Sequence, residues 1–256
     1  MSAARDSWLI AGRNLRVLRK NPGRLIYPLV QPVVLLVMFV SVFGNLALSS
    51  RGGSAGVSYR EFLIPGIVIE NATLTAPTTG LALLRDASSG LADRFRSLPM
   101  SRFAVLTGRL ASDAVVFAAQ AALLIAVGYG LGFRIRGGLP GMAAVVVAAT
   151  VFGLAIAALS AWLALLINDP ETAERVLFFP AIALAFVSSA FAPVGLLAGW
   201  MQPVARANPV TAACAVIRSL ASGGGLAFPL LVLTCWVAGL FLVPGVLAVR
   251  RWQAPA

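Results

Sequence analysis

Six long apolar stretches constrain this chain more than any other feature. They run approximately 25–48, 62–84, 114–133, 139–167, 176–197 and 226–249, and each suffices to cross a hydrocarbon core, which takes about 20 helical residues. An ordinary soluble domain carries about a quarter charged residues. Here 59% of the residues are hydrophobic and 11% charged, more apolar surface than a water-soluble core absorbs. The expectation is one all-α integral membrane domain over residues 1–256. It comprises a cytoplasmic amphipathic helix (1–24), a bundle of six transmembrane helices (25–249) and a cytoplasmic tail (250–256). The fourth stretch exceeds what a span requires, so it tilts or extends beyond the membrane.

Charge sets the orientation. Arg5, Arg13, Arg16, Arg19, Lys20 and Arg24 precede the first stretch. Arg85, Arg94, Arg96, Arg102 and Arg109 follow the second, Arg175 follows the fourth, and Arg250 and Arg251 follow the sixth. The alternate side holds Arg51, Arg60, Arg134, Arg136, Arg206 and Arg218. This asymmetry predicts a multi-pass protein with both termini in the cytoplasm. The net charge of +11 sits at the ends of apolar stretches rather than in a patch with interleaved aromatics. That favours anionic lipid headgroups over nucleic acid as its partner.

Before the first stretch, Trp8, Ala11, Leu15 and Leu18 recur at helical spacing opposite Arg13, Arg16 and Lys20. They describe either a basic amphipathic helix along the membrane surface or a solvated positive tail. The first apolar run begins too late for a secretory signal peptide and is expected to stay in the mature protein. Alanine is abundant and arginine supplies every basic side chain except Lys20, the only lysine, which points to a high-GC bacterial genome and a plasma-membrane location.

Several chemistries are disfavoured. Histidine is absent, and Cys214 and Cys235 lie in different segments, supporting neither a metal cluster nor a disulfide framework. No G-x-x-x-x-G-K-[ST] phosphate loop occurs, so the chain is not expected to be an enzyme that hydrolyses ATP by that route. A membrane-embedded lipid-modifying enzyme would need His, Asp or Glu clustered near one face, and the acidic residues are scattered. A secondary transporter driven by an ion gradient is the other alternative, with Glu70 as its coupling site.

Glu70 is the one ionisable residue well inside a stretch, with Asn71, Thr73, Thr75, Thr78 and Thr79 nearby. Intramembrane carboxylates are costly and usually face a bundle interior or water. Glu70 therefore either lines a pathway with Asn71 and Thr73 or is a neutral, hydrogen-bonded structural group. Arg109 and Asp113, one turn apart, read as a structural pair. Gly128-x-x-x-Gly132 and Gly195-x-x-x-Gly199 permit close helix packing. Asp169-Pro170-Glu171 reads as a helix cap, first-turn proline and favourable dipole contact. Farther on, Asn208 suits an N-cap, Pro209 the first helical position, and Gly223-Gly-Gly225 a helix end. The dozen or so residues between are too few to span, and describe either a re-entrant outer element closing an exit or a plain surface loop.

After the second stretch the chain reads Gly90-Leu-Ala-Asp-Arg-Phe-Arg-Ser-Leu-Pro-Met-Ser-Arg102, then Gly108-Arg109 and Asp113. A short helix here, charged at Asp93, Arg94 and Arg96, apolar at Leu91, Phe95 and Leu98 and stopped by Pro99, offers an anchored charged knob to a cytosolic partner. This run resembles ABC-2 permeases of the daunorubicin-resistance type. Arg13-x-x-Arg16 through Asn21-Pro22 to Gln31-Pro32 is similar to that family's N-terminal helix and first span. Pro193, Trp200, Gln202-Pro203 and Ala207-Asn208-Pro209 through Arg218 resemble its outer helical hairpin. The resemblance implies that Asp93, Arg94, Phe95, Arg96 and Pro99 form a coupling helix docking into a separate ABC ATPase, which binds the ATP and Mg. It further implies a second permease copy or similar subunit and a hydrophobic drug, antibiotic or lipid as cargo, moved outward.

Overall fold

The computed structural model describes residues 23–43, 59–88, 102–164, 166–167 and 169–253. Every regular element among them is helical: α1 (Gly23–Phe43), α2 (Tyr59–Thr75), α3 (Pro77–Ser88), α4 (Arg102–Gly130), α5 (Gly138–Ala164), α6 (Pro170–Phe186), α7 (Met201–Arg206), α8 (Pro209–Ser222) and α9 (Ala227–Gln253), with a 3-10 turn at Val194–Leu196. The amphipathic segment 1–22 and the proposed coupling residues Asp93, Arg94, Phe95, Arg96 and Pro99 lie outside the described residues.

Two helices organise the bundle. Every residue of α2 from Leu63 to Thr73 is buried, because α1, α4, α5, α6 and α8 surround it. The second, α5, packs against α2, α3, α4, α8 and α9. Peripheral helices show opposite faces instead. On α1, Leu36 and Val40 are buried while Val30, Val34, Val37, Met38 and Val42 are exposed, and α6 exposes Val176, Phe179, Ile182 and Phe186. Such apolar outer faces are at home in lipid and would be a liability in water.

Three helical segments are long and apolar enough to cross a membrane: 59–86, 108–130 and 138–164. The first joins α2 and α3 across a break. Pro77 has no N–H to continue the ladder. The junction closes instead through Ala76 N–H to Ala72 O (3.1 Å), Thr79 N–H to Ala76 O (3.1 Å) and the Thr78 hydroxyl to Thr75 O (2.7 Å). Shorter apolar helical segments occupy 30–42, 209–222 and 227–240.

The end of α4 shows how local sequence sets the connections. Phe133 N–H reaches Gly128 O (2.9 Å), Gly132 N–H reaches Tyr129 O (3.1 Å), and Gly132 sits at φ +92°. This is the paired closure of a Schellman motif, which favours glycine at the left-handed position. Gly132 thus ends the helix rather than packing it, whereas Gly128 lies against Ile64. Gly199, by contrast, faces open space.

The fifth apolar stretch departs from expectation. Its helix, α6, ends at Phe186, and the chain bends through 187–192 before the 3-10 turn. Ser188 provides the reason. Its hydroxyl donates to Ala185 O (2.6 Å) and accepts from Ala190 N–H (3.0 Å), an alternative to the helical ladder that serine side chains supply. The bend also brings backbone against backbone, since a Cβ on Gly66 would collide with the Ala190 carbonyl oxygen.

Candidate functional site

Two polar sites interrupt the apolar interior. The first surrounds the bend after α6. Asn208, Thr211 and Arg218 lie on α8 at helical spacing and all reach that bend. Asn208 caps its own helix by accepting from Val210 N–H (2.8 Å), and its amide donates to Leu184 O (2.8 Å) and Val187 O (2.6 Å). The expected cap therefore also closes the end of α6. Pro209 is buried at the first helical position, and Gly223, at φ +72°, ends the helix as anticipated. Thr211 accepts from Ser189 N–H (3.0 Å).

Arg218 completes this site. Its Nε donates to Phe62 O (3.0 Å), one terminal nitrogen to the Ser189 hydroxyl (3.1 Å), and the other to Ser189 O (2.7 Å) and Ala190 O (3.3 Å). The guanidinium carbon stands 3.5 Å from the centroid of the Phe62 ring, within cation–π range. One side chain thus joins the start of α2, the bend after α6 and α8. Trp200 does not share in this arrangement and is 75% exposed.

The second site runs along α2, α3 and α4. Glu70, Asn71 and Thr73 are all buried, but the structure does not join them. Asn71 donates from its amide to Gln120 Oε1 (3.1 Å), and the Thr73 hydroxyl donates to Ile69 O (2.8 Å). Farther along, Thr79 donates to Asp113 Oδ2 (2.7 Å), which also receives Arg109 Nε (3.2 Å). The anticipated Arg109–Asp113 pair is therefore part of a triad. Glu70 Oε2 and Gln120 Nε2 are buried without a hydrogen-bond partner among the described residues.

Sequence reasoning missed Gln120, Thr211, Ser189 and Phe62. Gln120 carried a usable signal, a polar side chain inside an apolar stretch, the same signal that marked Glu70. No group of three or more metal-ligating side chains occurs among the described residues.

The described residues form an all-helical fold with polar side chains held between helices apolar enough to cross a membrane, and comparison with known proteins specifies the class. The chain belongs to the ABC-2 type transporter family, whose profile matches residues 5–222. It is 29% identical over 241 residues to the daunorubicin resistance ABC transporter permease protein DrrB1 of Streptomyces coeruleorubidus, covering 94% of this chain and 83% of the relative. It is 31% identical over 215 residues to a probable doxorubicin resistance ABC transporter permease protein, DrrC, of Mycobacterium tuberculosis, covering 84% and 76%. A putative transport permease, ycf38, of Cyanophora paradoxa shares 27% over 209 residues, covering 80% of this chain and 70% of the relative. The chain is thus a multi-pass membrane protein of the permease rather than the ATPase kind.

Proposed function

We propose that the chain is the membrane-spanning subunit of an ABC exporter in the bacterial plasma membrane, moving a hydrophobic drug, antibiotic or lipid outward. The observation that carries this reading is the family match across 5–222, which runs through α1 to α8 and includes residues 89–101. On this reading α1, α6 and α9 complete six spans with the three longer segments, and both termini are cytoplasmic. A second permease copy or similar subunit forms the other half of the pathway. ATP and Mg are bound by partner ATPases, and Asp93, Arg94, Phe95, Arg96 and Pro99 transmit their movement. Within the subunit, the α8 contacts at Asn208 and Arg218 hold the outer hairpin, and Glu70, Asn71 and Thr73 contribute polar groups to the pathway side of α2.

The test is co-expression with a cognate ABC ATPase, followed by transport of a fluorescent hydrophobic cargo into inverted vesicles. ATP-dependent uptake that survives collapse of the proton gradient supports the reading. Uptake that persists with a hydrolysis-deficient ATPase and stops with the gradient supports an ion-coupled carrier centred on Glu70. Phe95→Ala with Arg96→Glu should leave insertion intact, yet reduce ATPase co-purification by about a hundredfold or more, since aromatic anchors and desolvated charge pairs dominate such interfaces.

A further inference from the structure

We propose, resting on the reading of the chain as an export permease, that Glu70 recognises a positively charged amine on an otherwise apolar cargo. Phe62, Gly66 and Glu70 recur at four-residue spacing and so share one face of α2. That face meets the bend after α6, for Arg218 stands over the Phe62 ring and Gly66 lies against the Ala190 carbonyl. Glu70 follows one turn along, on the side of the Gly66 contact away from the Arg218 clamp.

The packing registers fix what stands at this level. Gly66 against Ala190 and Gly80 against Leu177 set α2 and α3 antiparallel to α6, which brings Glu70 about level with Ala185. Ile64 against Gly128 and Thr79 on Asp113 do the same with α4, with the Asn71–Gln120 bond between them, and bring Glu70 about level with Ala121. Both alanines are buried, and their methyl groups have no polar atom to offer a carboxylate. Glu70 is 2% exposed and Gln120 0%, yet Glu70 Oε2 and Gln120 Nε2 have no hydrogen-bond partner among the described residues. One acceptor and one donor are thus left open at neighbouring positions of the same interface.

Arg218, the cation on the same seam, is committed to Phe62, Ser189 and Ala190, and Arg109 is committed to Asp113. An unpaired carboxylate in an apolar interior is costly, and a cation that arrives with the cargo offsets that cost. A protonated amine brings N–H donors together with its charge, and a hydrogen bond between two ionised groups is roughly twice as strong as one between neutral groups. A neutral apolar molecule supplies neither, and an acidic one is repelled. Of the hydrophobic cargoes open to the permease, Glu70 therefore favours those that carry an amine.

The experiment is fluorescence titration of the full-length permease in detergent with dansyl-alkylamines of several chain lengths, each beside its neutral N-acetyl derivative. The intact protein is expected to bind the amine about tenfold or more tightly than its acetylated partner, the gain from one hydrogen bond to a charged group. Glu70→Gln, of nearly the same size, should weaken the amine by about tenfold and leave the acetylated probe unchanged. Glu70→Leu, which removes the acceptor without leaving a buried polar atom, is the second variant and should lose the same preference. An unaltered melting midpoint shows that a variant is folded. Equal binding of amine and acetylated probe by the intact protein at every chain length overturns the proposal, as does a preference that persists in either folded variant. Equal binding alongside ATP-dependent uptake of a neutral cargo in the co-expression assay would overturn it while leaving the export reading intact.

Discussion

The two buried polar sites answer the same problem in opposite ways. At the bend after α6, all three nitrogens of the Arg218 guanidinium donate to protein acceptors, and Asn208 uses both ends of its amide. On α2 and α4, Glu70 Oε2 and Gln120 Nε2 are equally enclosed and have no partner among the described residues. A fully satisfied polar network fixes a structure, whereas an unsatisfied buried group costs about 1–3 kcal/mol of desolvation. The first site is therefore where this subunit is held together. The second holds two buried polar atoms with no partner among the described residues.

The strongest attempt to break that contrast is Arg218→Met. Methionine keeps much of the apolar stem but leaves the Phe62, Ser189 and Ala190 carbonyls without their donor. Leaving buried acceptors without their donor costs about 1–3 kcal/mol apiece, and at about 2–4 °C per kcal/mol for a domain of this size the melting midpoint in detergent should fall by roughly 10 °C. Arg218→Lys should rescue little, because an ammonium cannot span the same fork of acceptors. A midpoint within a degree or two of the parent would show that α8 does not staple the bend.

Gly66→Ala tests the same junction from the other side. The added Cβ meets the Ala190 carbonyl oxygen, a backbone atom that no rotamer change moves aside. Overpacking of this kind costs about 1–3 kcal/mol, and the loss should be non-additive with Arg218→Met, since both act on one bend. Strict additivity of the two midpoints would separate the glycine contact from the arginine clamp.

Much of the first site was legible in the sequence, but its purpose was not. Asn208, Pro209 and Gly223 announce a helix start and stop, because capping depends on residue types at fixed local offsets. What Arg218 touches was not legible, since its acceptors are mainly backbone carbonyls, which carry no residue signature and lie far away in the chain. The bend itself was hidden for a related reason. Apolar run length reports suitability for lipid and not helical continuity, so Val187 to Phe191 read as more of the same span. Glu70 stood out as a charge in an apolar stretch, and it is buried. The threonines around it could not be apportioned from sequence, because the turn at Ala76–Pro77 sends Thr79 to Asp113 and keeps Thr73 on the backbone of α2.

Glu70→Leu probes the second site and should behave opposite to Arg218→Met. Removing an unpartnered buried acceptor in favour of an apolar side chain is neutral or stabilising, by up to about 2 kcal/mol. The thermal midpoint should hold or rise while transport, or cargo-stimulated activity of the partner ATPase, changes. Gln120→Leu differs in breaking the bond from Asn71, and should lose about 1 kcal/mol. If Glu70→Leu destabilises the subunit as Arg218→Met does, the two sites are alike and Glu70 is a structural group.

The smallest expected effect lies at a satisfied polar group in water, which sharpens the comparison by removing burial. Asp169 caps α6, accepting from Thr172 N–H (2.7 Å), with Pro170 in the first turn. One turn along, Glu171 pairs with Arg175, both well exposed. Hydrogen bonds from Thr172, through its side chain and then its backbone N–H, hold the Asp169 carboxyl below the usual carboxylate range. A group whose folded pKa is depressed contributes stability above its unfolded pKa, and that contribution is lost as pH falls through the folded value. Protection of the Thr172 amide against hydrogen exchange should therefore hold at neutral pH and decline in acid below the normal aspartate range. Asp169→Ala should lower it severalfold at neutral pH, with little change in the global midpoint. Asp169→Asn should keep most of the protection, since asparagine is as good a cap, while abolishing this acid dependence. An acid transition that persists in Asp169→Asn would assign it to another carboxylate and leave the cap without a role in it.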